Sequence, residues 1–284
     1  MAVDALQDKI RKTKNPIMLS LCLGDDDVPA SYAGDKMAYA RALLAGLKDT
    51  VSAVRVSFAS FAVRGAKGMT ELCELLAYAK KQGYYVLLDG PELLSTREAA
   101  MIAEALLGPD SEFACDGLII SGYCGSDVIK PFLPYCREGK KDIFVVARTA
   151  NKSAPEIQDL LSGGRLVHTA VADHVNRHGA DTAGKFGYTR VGILASASAA
   201  QSLKDLRAKY PRLFLVLDGA DYPNANAKNC ANAFDKYGRG AVAVVGSAIT
   251  EAWKQAQEGV DPIDAARDVA LRWKKNLSRY VTIL

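Results

Sequence analysis

Short apolar runs alternate with longer helical stretches along this chain of 284 residues. The runs are rich in Val, Ile, Leu and Ala, and near-continuous hydrophobic strands are typical of a parallel sheet covered on both faces. The eight predicted strands are Ile17–Leu23, Val51–Phe58, Tyr84–Asp89, Gly117–Ser121, Ile143–Arg148, Val191–Ala197, Leu213–Asp218 and Ala241–Gly246. The alternation therefore predicts an α/β protein in which a helix follows each strand.

The stretches between these strands carry helix-start and helix-stop signals. Ser95 and Glu98 have the spacing of a capping box, and Gly83 follows another stretch as a C-cap. The predicted helices are Val3–Lys12, Asp35–Leu47, Lys67–Lys81, Ser95–Leu107, Asp127–Arg137, Glu156–Leu161, Leu166–His178, Ala199–Lys209, Ala227–Tyr237 and Ile263–Tyr280. We interpret Ser162–Arg165, with its glycine pair, as a turn between two helices.

Eight strand–helix units predict a (β/α)8 TIM barrel, an architecture of about 250 residues. A doubly wound open sheet is the competing arrangement, which strand counting leaves open. Because no Pro/Ser-rich linker divides the chain, residues 1–284 are predicted to form a single domain with the helix 3–12 before the first strand. The long interval 148–191 is predicted to hold an extra helix or a lid.

Composition limits the classes of function. A net charge of +4, from 36 basic and 32 acidic residues, is too mild to indicate a nucleic-acid partner. Apolar runs such as Ala241–Val245 are far too short to span a membrane, and the polar Met1–Lys14 segment does not resemble a secretory signal. The six cysteines include no CxxC pair, which argues against a zinc or thioredoxin-like site and favours a cytoplasmic location.

Several segments resemble the orotidine 5'-phosphate decarboxylases, in their bacterial longer-chain subfamily. The segment Gly-Ser-Asp-Val-Ile-Lys-Pro-Phe-Leu at Gly125–Leu133 resembles the one after their fourth strand, and Ile143–Asn151 ends in the same Thr-x-Asn pattern. Glu156–Leu160 and Leu203–Arg207, followed by Pro211, also fit. The resemblance implies a TIM barrel, decarboxylation of orotidine monophosphate without a cofactor, and a homodimer.

The catalytic motif implied by this resemblance is degenerate here. The family carries D-x-K-x-x-D after strand three, in which the Lys protonates the ring carbon. In this chain Asp89 matches the first Asp, Pro91 stands at the Lys position and the second Asp has no counterpart. Arg55 replaces a Lys on strand two, and a guanidinium is not a proton donor at neutral pH. We expect Arg55 and Asp89 to form a structural ion pair.

The resemblance also implies ligand-binding positions. Cys22 stands where the family has a ribose-binding Asp, and we interpret its thiol as a buried, inert group. Glu92 supplies a further carboxylate. Thr149 and Asn151 match the family, and Ser198 replaces a Thr.

The phosphate-binding positions are altered too. The family holds the phosphate with a Gln after strand seven, an Arg after strand eight and backbone amides. Here Tyr222 stands near the Gln position and Ser247 at the Arg position. Asp218 and Asp221 lie in the strand-seven loop, where they would repel a dianion.

No metal site is predicted. Consecutive carboxylates at Asp25–Asp27 point in different directions and fit a solvated loop. His174 and His178 have the i,i+4 spacing of helical metal ligands, but their helix should lie outside the barrel, and we interpret them, with His168, as packing or solvent-facing residues.

Together these features predict a diverged orotidine 5'-phosphate decarboxylase-like protein without decarboxylase activity. It would be a pseudoenzyme or a repurposed binder of a nucleotide-like or other small molecule, with no nucleic-acid or membrane partner. The alternative is a retained decarboxylase that converts orotidine monophosphate to uridine monophosphate and carbon dioxide in pyrimidine biosynthesis. An enzyme of different chemistry that uses the acidic mouth of the barrel is a third hypothesis.

Overall fold

The eight apolar runs form a closed barrel of parallel strands in a computed structural model that describes residues 2–91, 93–138 and 140–284. The strands are β1 (Ile17–Leu21), β2 (Ala53–Ser57), β3 (Tyr85–Asp89), β4 (Gly117–Ser121), β5 (Asp142–Val146), β6 (Thr189–Ser196), β7 (Leu213–Asp218) and β8 (Ala241–Val245). Neighbours in the chain are neighbours in the barrel, and β8 pairs with β1. The predicted TIM barrel is therefore confirmed, and the open sheet is excluded.

The strand register brings polar residues to one end of the barrel. Ser20 on β1 is level with Arg55 on β2, and Ser57 is level with Asp89 on β3. On the far side, Ser196 on β6 is level with Asp218 on β7. These residues lie at or near the carboxyl ends of their strands, where (β/α)8 proteins carry their functional sites. We call this end of the barrel the mouth.

Helices cover the outer face of the barrel. They are α1 (Ala2–Thr13), α2 (Lys36–Leu47), α3 (Phe58–Ala62), α4 (Gly65–Lys81), α5 (Thr96–Leu107), α6 (Leu133–Arg137), α7 (Val167–Gly179), α8 (Ala200–Lys209), α9 (Ala227–Ala231), α10 (Ser247–Thr250) and α11 (Pro262–Leu277). The predicted cap of α5 is confirmed, because Ser95 Oγ accepts the Glu98 N–H. The Glu98 carboxylate accepts from the Leu94 N–H, one residue before the position that a strict capping box uses.

The core has two layers. Side chains from the strands fill the barrel, among them Met18, Phe144 and Phe214, and α1 adds Leu6 and Ile10 to this inner layer. The amphipathic α1 therefore covers the amino-terminal end of the barrel, opposite the mouth. The second layer lies between the strands and the surrounding helices. Burial of one large aliphatic side chain contributes about 1.5–3 kcal/mol, so these layers supply the main stabilisation.

The prediction of one helix over Asp127–Arg137 is wrong. The segment forms two 3-10 turns, Ser126–Val128 and Lys130–Phe132, followed by α6. Pro131 and Pro134 each stand in the first turn of a new piece. A proline lacks the N–H that a continuing helix needs, and its ring clashes with the preceding turn, so each one starts a new piece.

Two further helix predictions are wrong or too long. Glu156–Leu161 contains only the end of a 3-10 turn, and a two-residue antiparallel hairpin follows it, Leu161–Ser162 with Arg165–Leu166. Its turn residues Gly163 and Gly164 have φ of 58° and 79°, which suits a hairpin turn rather than a connection between helices. The helix predicted over Ala227–Tyr237 ends at Ala231.

The rest of the predicted helix Ala227–Tyr237 is not helical. Asp235 Oδ1 accepts the N–H groups of Tyr237 and Arg239 and holds a tight turn beyond the end of α9. The interval 148–191, which was predicted to hold an extra helix or a lid, holds a hairpin and α7 rather than an extra helix. None of the helices in the described part of the chain combines the length and the apolar character that a membrane span requires.

Candidate functional site

Arg55 reaches across the mouth of the barrel. Its Nη1 lies 2.7 Å from Asp218 Oδ1, although β2 and β7 are not neighbours. Its Nε lies 3.2 Å from Ser20 Oγ and 3.7 Å from Asp89 Oδ2. The expected contact between Arg55 and Asp89 is present, but the shorter partner of the guanidinium is Asp218.

The neighbouring carboxylates keep Arg55 positively charged. Burial by itself would lower its pKa, but the carboxylates of Asp218 and Asp89 outweigh that effect and hold the pKa above its ordinary value. The side chain is 17% exposed. Arg55 therefore stays protonated and is paired with two carboxylates. It does not act as an acid toward a ligand.

Asp221 occupies the backbone amides after β8. Its Oδ2 accepts the Gly246 N–H at 2.9 Å and the Ala248 N–H at 3.1 Å. Two converging amides of this kind form a small anion-binding concavity. A carboxylate from the chain itself fills it, and this arrangement is the main functional feature that the sequence did not reveal.

The loop after β5 brings Thr149 and Asn151 together. The Thr149 hydroxyl hydrogen bonds to Asn151 Oδ1. Gln158 then fixes Thr149 from both sides: its Oε1 accepts the Thr149 N–H at 2.8 Å, and its Nε2 donates to Thr149 Oγ1 at 2.9 Å. Gln158 was not among the predicted site residues, since a glutamine in a predicted helix carries no signal of its contact with a preceding loop.

The other predicted positions surround the same end of the barrel. Cys22 follows β1 and is exposed, so its predicted burial is wrong. Ser198 follows β6, and its Oγ lies 2.9 Å from Ser196 Oγ. Burial, and after it the negative charge of Asp218, raises the pKa of Tyr222 in the loop after β7.

Ser247 begins α10 and is exposed, with no cationic group of its own for a phosphate. Pro91 follows β3 and is partly buried. Glu92 lies outside the described residues.

The described residues offer no group of three or more His, Cys, Asp and Glu side chains that could hold a metal ion. Asp25 pairs with Lys36 at 2.7 Å, and an Asp27 oxygen accepts the Gly24 N–H. His174 and His178 stack on each other with ring centroids 6.5 Å apart.

Comparison with known proteins gives the relationship directly. The model of the Orotidine 5'-phosphate decarboxylase / HUMPS family matches residues 35–260, which is most of the barrel. The chain belongs to this family. An orotidine 5'-phosphate decarboxylase of Clostridium novyi is 26% identical over 98% of this chain and 99% of its own length. One from Rhodopirellula baltica is 29% identical over 76% of this chain and 72% of its own length.

Solved structures in the orotidine 5'-phosphate decarboxylase family share the fold. Leishmania donovani OMP decarboxylase superposes with a TM-score of 0.75 at 22% identity, covering 98% of this chain and 99% of that one. Plasmodium berghei orotidine 5'-monophosphate decarboxylase has a TM-score of 0.79 at 14% identity, covering 99% of both chains. At these identities the likeness establishes the family's barrel, and the differences at the mouth have to be judged on their own chemistry.

Proposed function

We propose that this member of the orotidine 5'-phosphate decarboxylase family does not decarboxylate orotidine monophosphate and instead binds a small molecule that carries no phosphate. The observation that carries the proposal is the Asp221 carboxylate on the Gly246 and Ala248 amides. The family resemblance implies that an Arg after this strand holds the substrate phosphate, aided by backbone amides. A phosphate would have to displace a carboxylate that is already bonded there.

The charge of the mouth supports the same conclusion. Asp89, Asp218 and Asp221 contribute three negative charges and Arg55 one positive charge, a net charge of −2 for these four side chains. Two unit charges of the same sign 4 Å apart repel by about 4 kcal/mol at the effective dielectric constant near a protein surface. A phosphate dianion is therefore unfavourable here, whereas a neutral or cationic ligand is not.

The decarboxylation chemistry also lacks its proton donor. A carbanion at the ring carbon needs an acid positioned beside it. Pro91 has no ionisable group, and the Arg55 guanidinium is bonded to Asp218 and stays protonated. Asp89 and Asp218 place carboxylates at the mouth, and the loop after β5 adds the polar groups of Thr149 and Asn151.

A direct assay tests the proposal. Purified protein incubated with orotidine monophosphate is expected to produce no uridine monophosphate above the uncatalysed background. Thermal unfolding in the presence of the free nucleoside, uridine monophosphate and unphosphorylated sugars then reports binding, since a ligand at 100 times its Kd adds about 2.7 kcal/mol of stability. Turnover that is abolished by Asp89→Ala would contradict the proposal.

We also propose that two copies of the chain pair through the mouth face. The loops that follow parallel strands all lie at this end, and they expose large apolar side chains, which is the property of an interaction surface. These are Val63, Leu94, Tyr123, Ile157, Leu160, Leu161 and Tyr222. A homodimer would cover this surface, and the family resemblance points to the same assembly.

A further inference from the structure

His168 at the start of α7 has hydrogen-bond partners on both ring nitrogens. Its Nδ1 lies 2.9 Å from the Gln158 carbonyl oxygen and 3.2 Å from Asp159 Oδ1. Its Nε2 lies 3.1 Å from Ser202 Oγ. The imidazole is 3% exposed, so protein groups rather than water decide which nitrogen carries the proton.

These partners select one tautomer. The Gln158 carbonyl and the Asp159 carboxylate can only accept, so Nδ1 must carry the hydrogen and donate it. Nε2 then holds a lone pair that accepts the Ser202 hydroxyl proton. A serine hydrogen bonded to a histidine whose other nitrogen is oriented by a carboxylate is the geometry that activates a serine nucleophile.

Asp159 is held in place from its other side. Arg148 Nε and Nη2 donate to its two oxygens at 2.9 and 2.8 Å. The hydrogen bonds from Arg148 hold the pKa of Asp159 below its ordinary value, so the carboxylate is ionised beside His168. An ionised, oriented carboxylate stabilises the imidazolium that forms when the histidine takes a proton.

The position of the cluster in the barrel suits a reaction site. Asp159 and His168 follow β5, and Ser202 lies in the first turn of α8, after β6, so all three belong to the mouth face. Ser202 is half-buried, so the residue is not fully enclosed by the protein. The Gln201 and Ser202 N–H groups have no acceptor among the described residues, as is usual in a first helical turn.

We propose that Ser202, His168 and Asp159 form a serine hydrolase site whose substrate class is a carboxylic ester. Ser202 Oγ attacks the ester carbonyl while its proton passes to His168 Nε2. The bond to the alcohol oxygen breaks, and the alcohol leaves with that proton. Water then attacks the acyl-serine, gives a proton to His168 and releases the carboxylic acid, and the proton returns to Ser202. Amides of the first turn of α8 are the donors available to the oxyanion.

A fluorophosphonate probe tests this site without knowledge of the natural ester. Attack by Ser202 Oγ on phosphorus expels fluoride and leaves a phosphonate ester that peptide mass spectrometry locates. We expect labelling at Ser202 in the folded protein and slow hydrolysis of p-nitrophenyl acetate. Both should fall by a factor on the order of 10²–10⁴ in His168→Gln, the contribution typical of a general base.

Matched variants keep the result interpretable. Ser202→Ala replaces a half-buried group near the surface and should fold, with labelling abolished. Ser126→Ala removes a half-buried serine in the loop after β4, and its labelling of Ser202 should equal that of wild type. Circular dichroism checks that His168→Gln is folded. Labelling of Ser202 no faster than that of Ser126 in wild type, or unchanged in folded His168→Gln, would overturn the proposal.

Discussion

Arg55 and Asp218 form a charge-paired hydrogen bond of 2.7 Å between strands that are not neighbours in the barrel. The pair closes the top of the inner core layer, with Ser20 and Asp89 beside the guanidinium. Because the guanidinium is paired with these two carboxylates, its charge is already balanced before a ligand binds. One contact therefore links two distant strands at the mouth and pairs the cation of Arg55 with a carboxylate.

Removal of Arg55 should destabilise the barrel strongly. Arg55→Met leaves Asp218 and Asp89 without their cation, and breaking a buried pair by removing one partner costs about 3–5 kcal/mol. Urea unfolding measures the change. Arg41→Met is the matched control, because Arg41 pairs with Glu74 on the surface and such pairs contribute about 0–1 kcal/mol. Equal losses for the two variants would show that the mouth pair is not structurally important.

Removal of the Asp221 carboxylate should restore an anion site. Asp221→Ala leaves the Gly246 and Ala248 amides without their acceptor, at a cost of about 1–3 kcal/mol in chloride buffer. In phosphate buffer the variant should regain part of that stability, whereas wild type should not respond. Asp26→Ala, which removes an exposed carboxylate in the loop after β1, controls for net charge. If the free energy of unfolding of Asp221→Ala is the same in chloride and in phosphate buffer, these amides do not form an anion site.

Asp142 should make the barrel less stable as pH rises. Burial raises the pKa of this carboxyl well above its usual range, against the opposing hydrogen bond from the Tyr85 hydroxyl. The folded state thus keeps a proton on Asp142 that the unfolded state releases at about pH 4. The stabilisation from this proton is fully present below that pH and is lost as the pH rises toward the pKa of the folded state. Asp142→Asn should therefore gain in stability relative to wild type from pH 4 to pH 8. Parallel stability curves for the two proteins would disprove this.

Substitution of Arg207 by lysine should destabilise the barrel. Its Nε donates to the Ala233 carbonyl and its Nη2 to that of Gly240, both at 2.7 Å, and its Nη1 lies 2.9 Å from the Leu213 carbonyl. This guanidinium ties the end of α8 to the starts of β7 and β8. A lysine ammonium has fewer donors and no planar fork. We expect Arg207→Lys and Arg207→Met to lose about 2–4 kcal/mol each in urea unfolding, and full stability in Arg207→Lys would be the contrary result.

A charge on the apolar mouth surface should separate the proposed dimer. Leu161 is 76% exposed in the hairpin after β5, and Leu161→Glu would place a carboxylate in the interface. Light scattering after size exclusion should show twice the chain mass for wild type and the single mass for the variant. Leu271→Glu, on α11 and 44% exposed, is the control that should remain dimeric. A monomeric wild type would disprove the pairing.

The strands were predictable because a parallel strand that is buried on both faces consists almost entirely of apolar residues. The predicted strand Tyr84–Asp89 differs from β3 by a single residue, and Gly117–Ser121 is confirmed at both ends. Helix boundaries were predicted wrongly where local chemistry competes with periodicity, as at Pro131 and Pro134. Sequence spacing alone does not rank these competing effects.

The site was predictable only as a set of positions. Knowledge of the strand ends placed Arg55, Asp89 and Asp218 at one mouth, but the choice of Asp218 as the nearer partner depends on how the side chain crosses the barrel. The sequence showed that Asp221 carries a negative charge. It did not show that its carboxylate accepts from the Gly246 and Ala248 amides, which lie 25 and 27 residues further along the chain. Contacts of this kind arise from loop closure, which leaves no local pattern in the residues.

The carboxylate on the β8 amides has a consequence for regulation. When a phosphorylated metabolite orders a loop, the stability of the ordered form depends on the concentration of that metabolite. Asp221 is tethered beside its amides, so its effective concentration is constant and independent of the medium. We therefore expect the order of this end of the barrel to be independent of the concentration of phosphorylated metabolites.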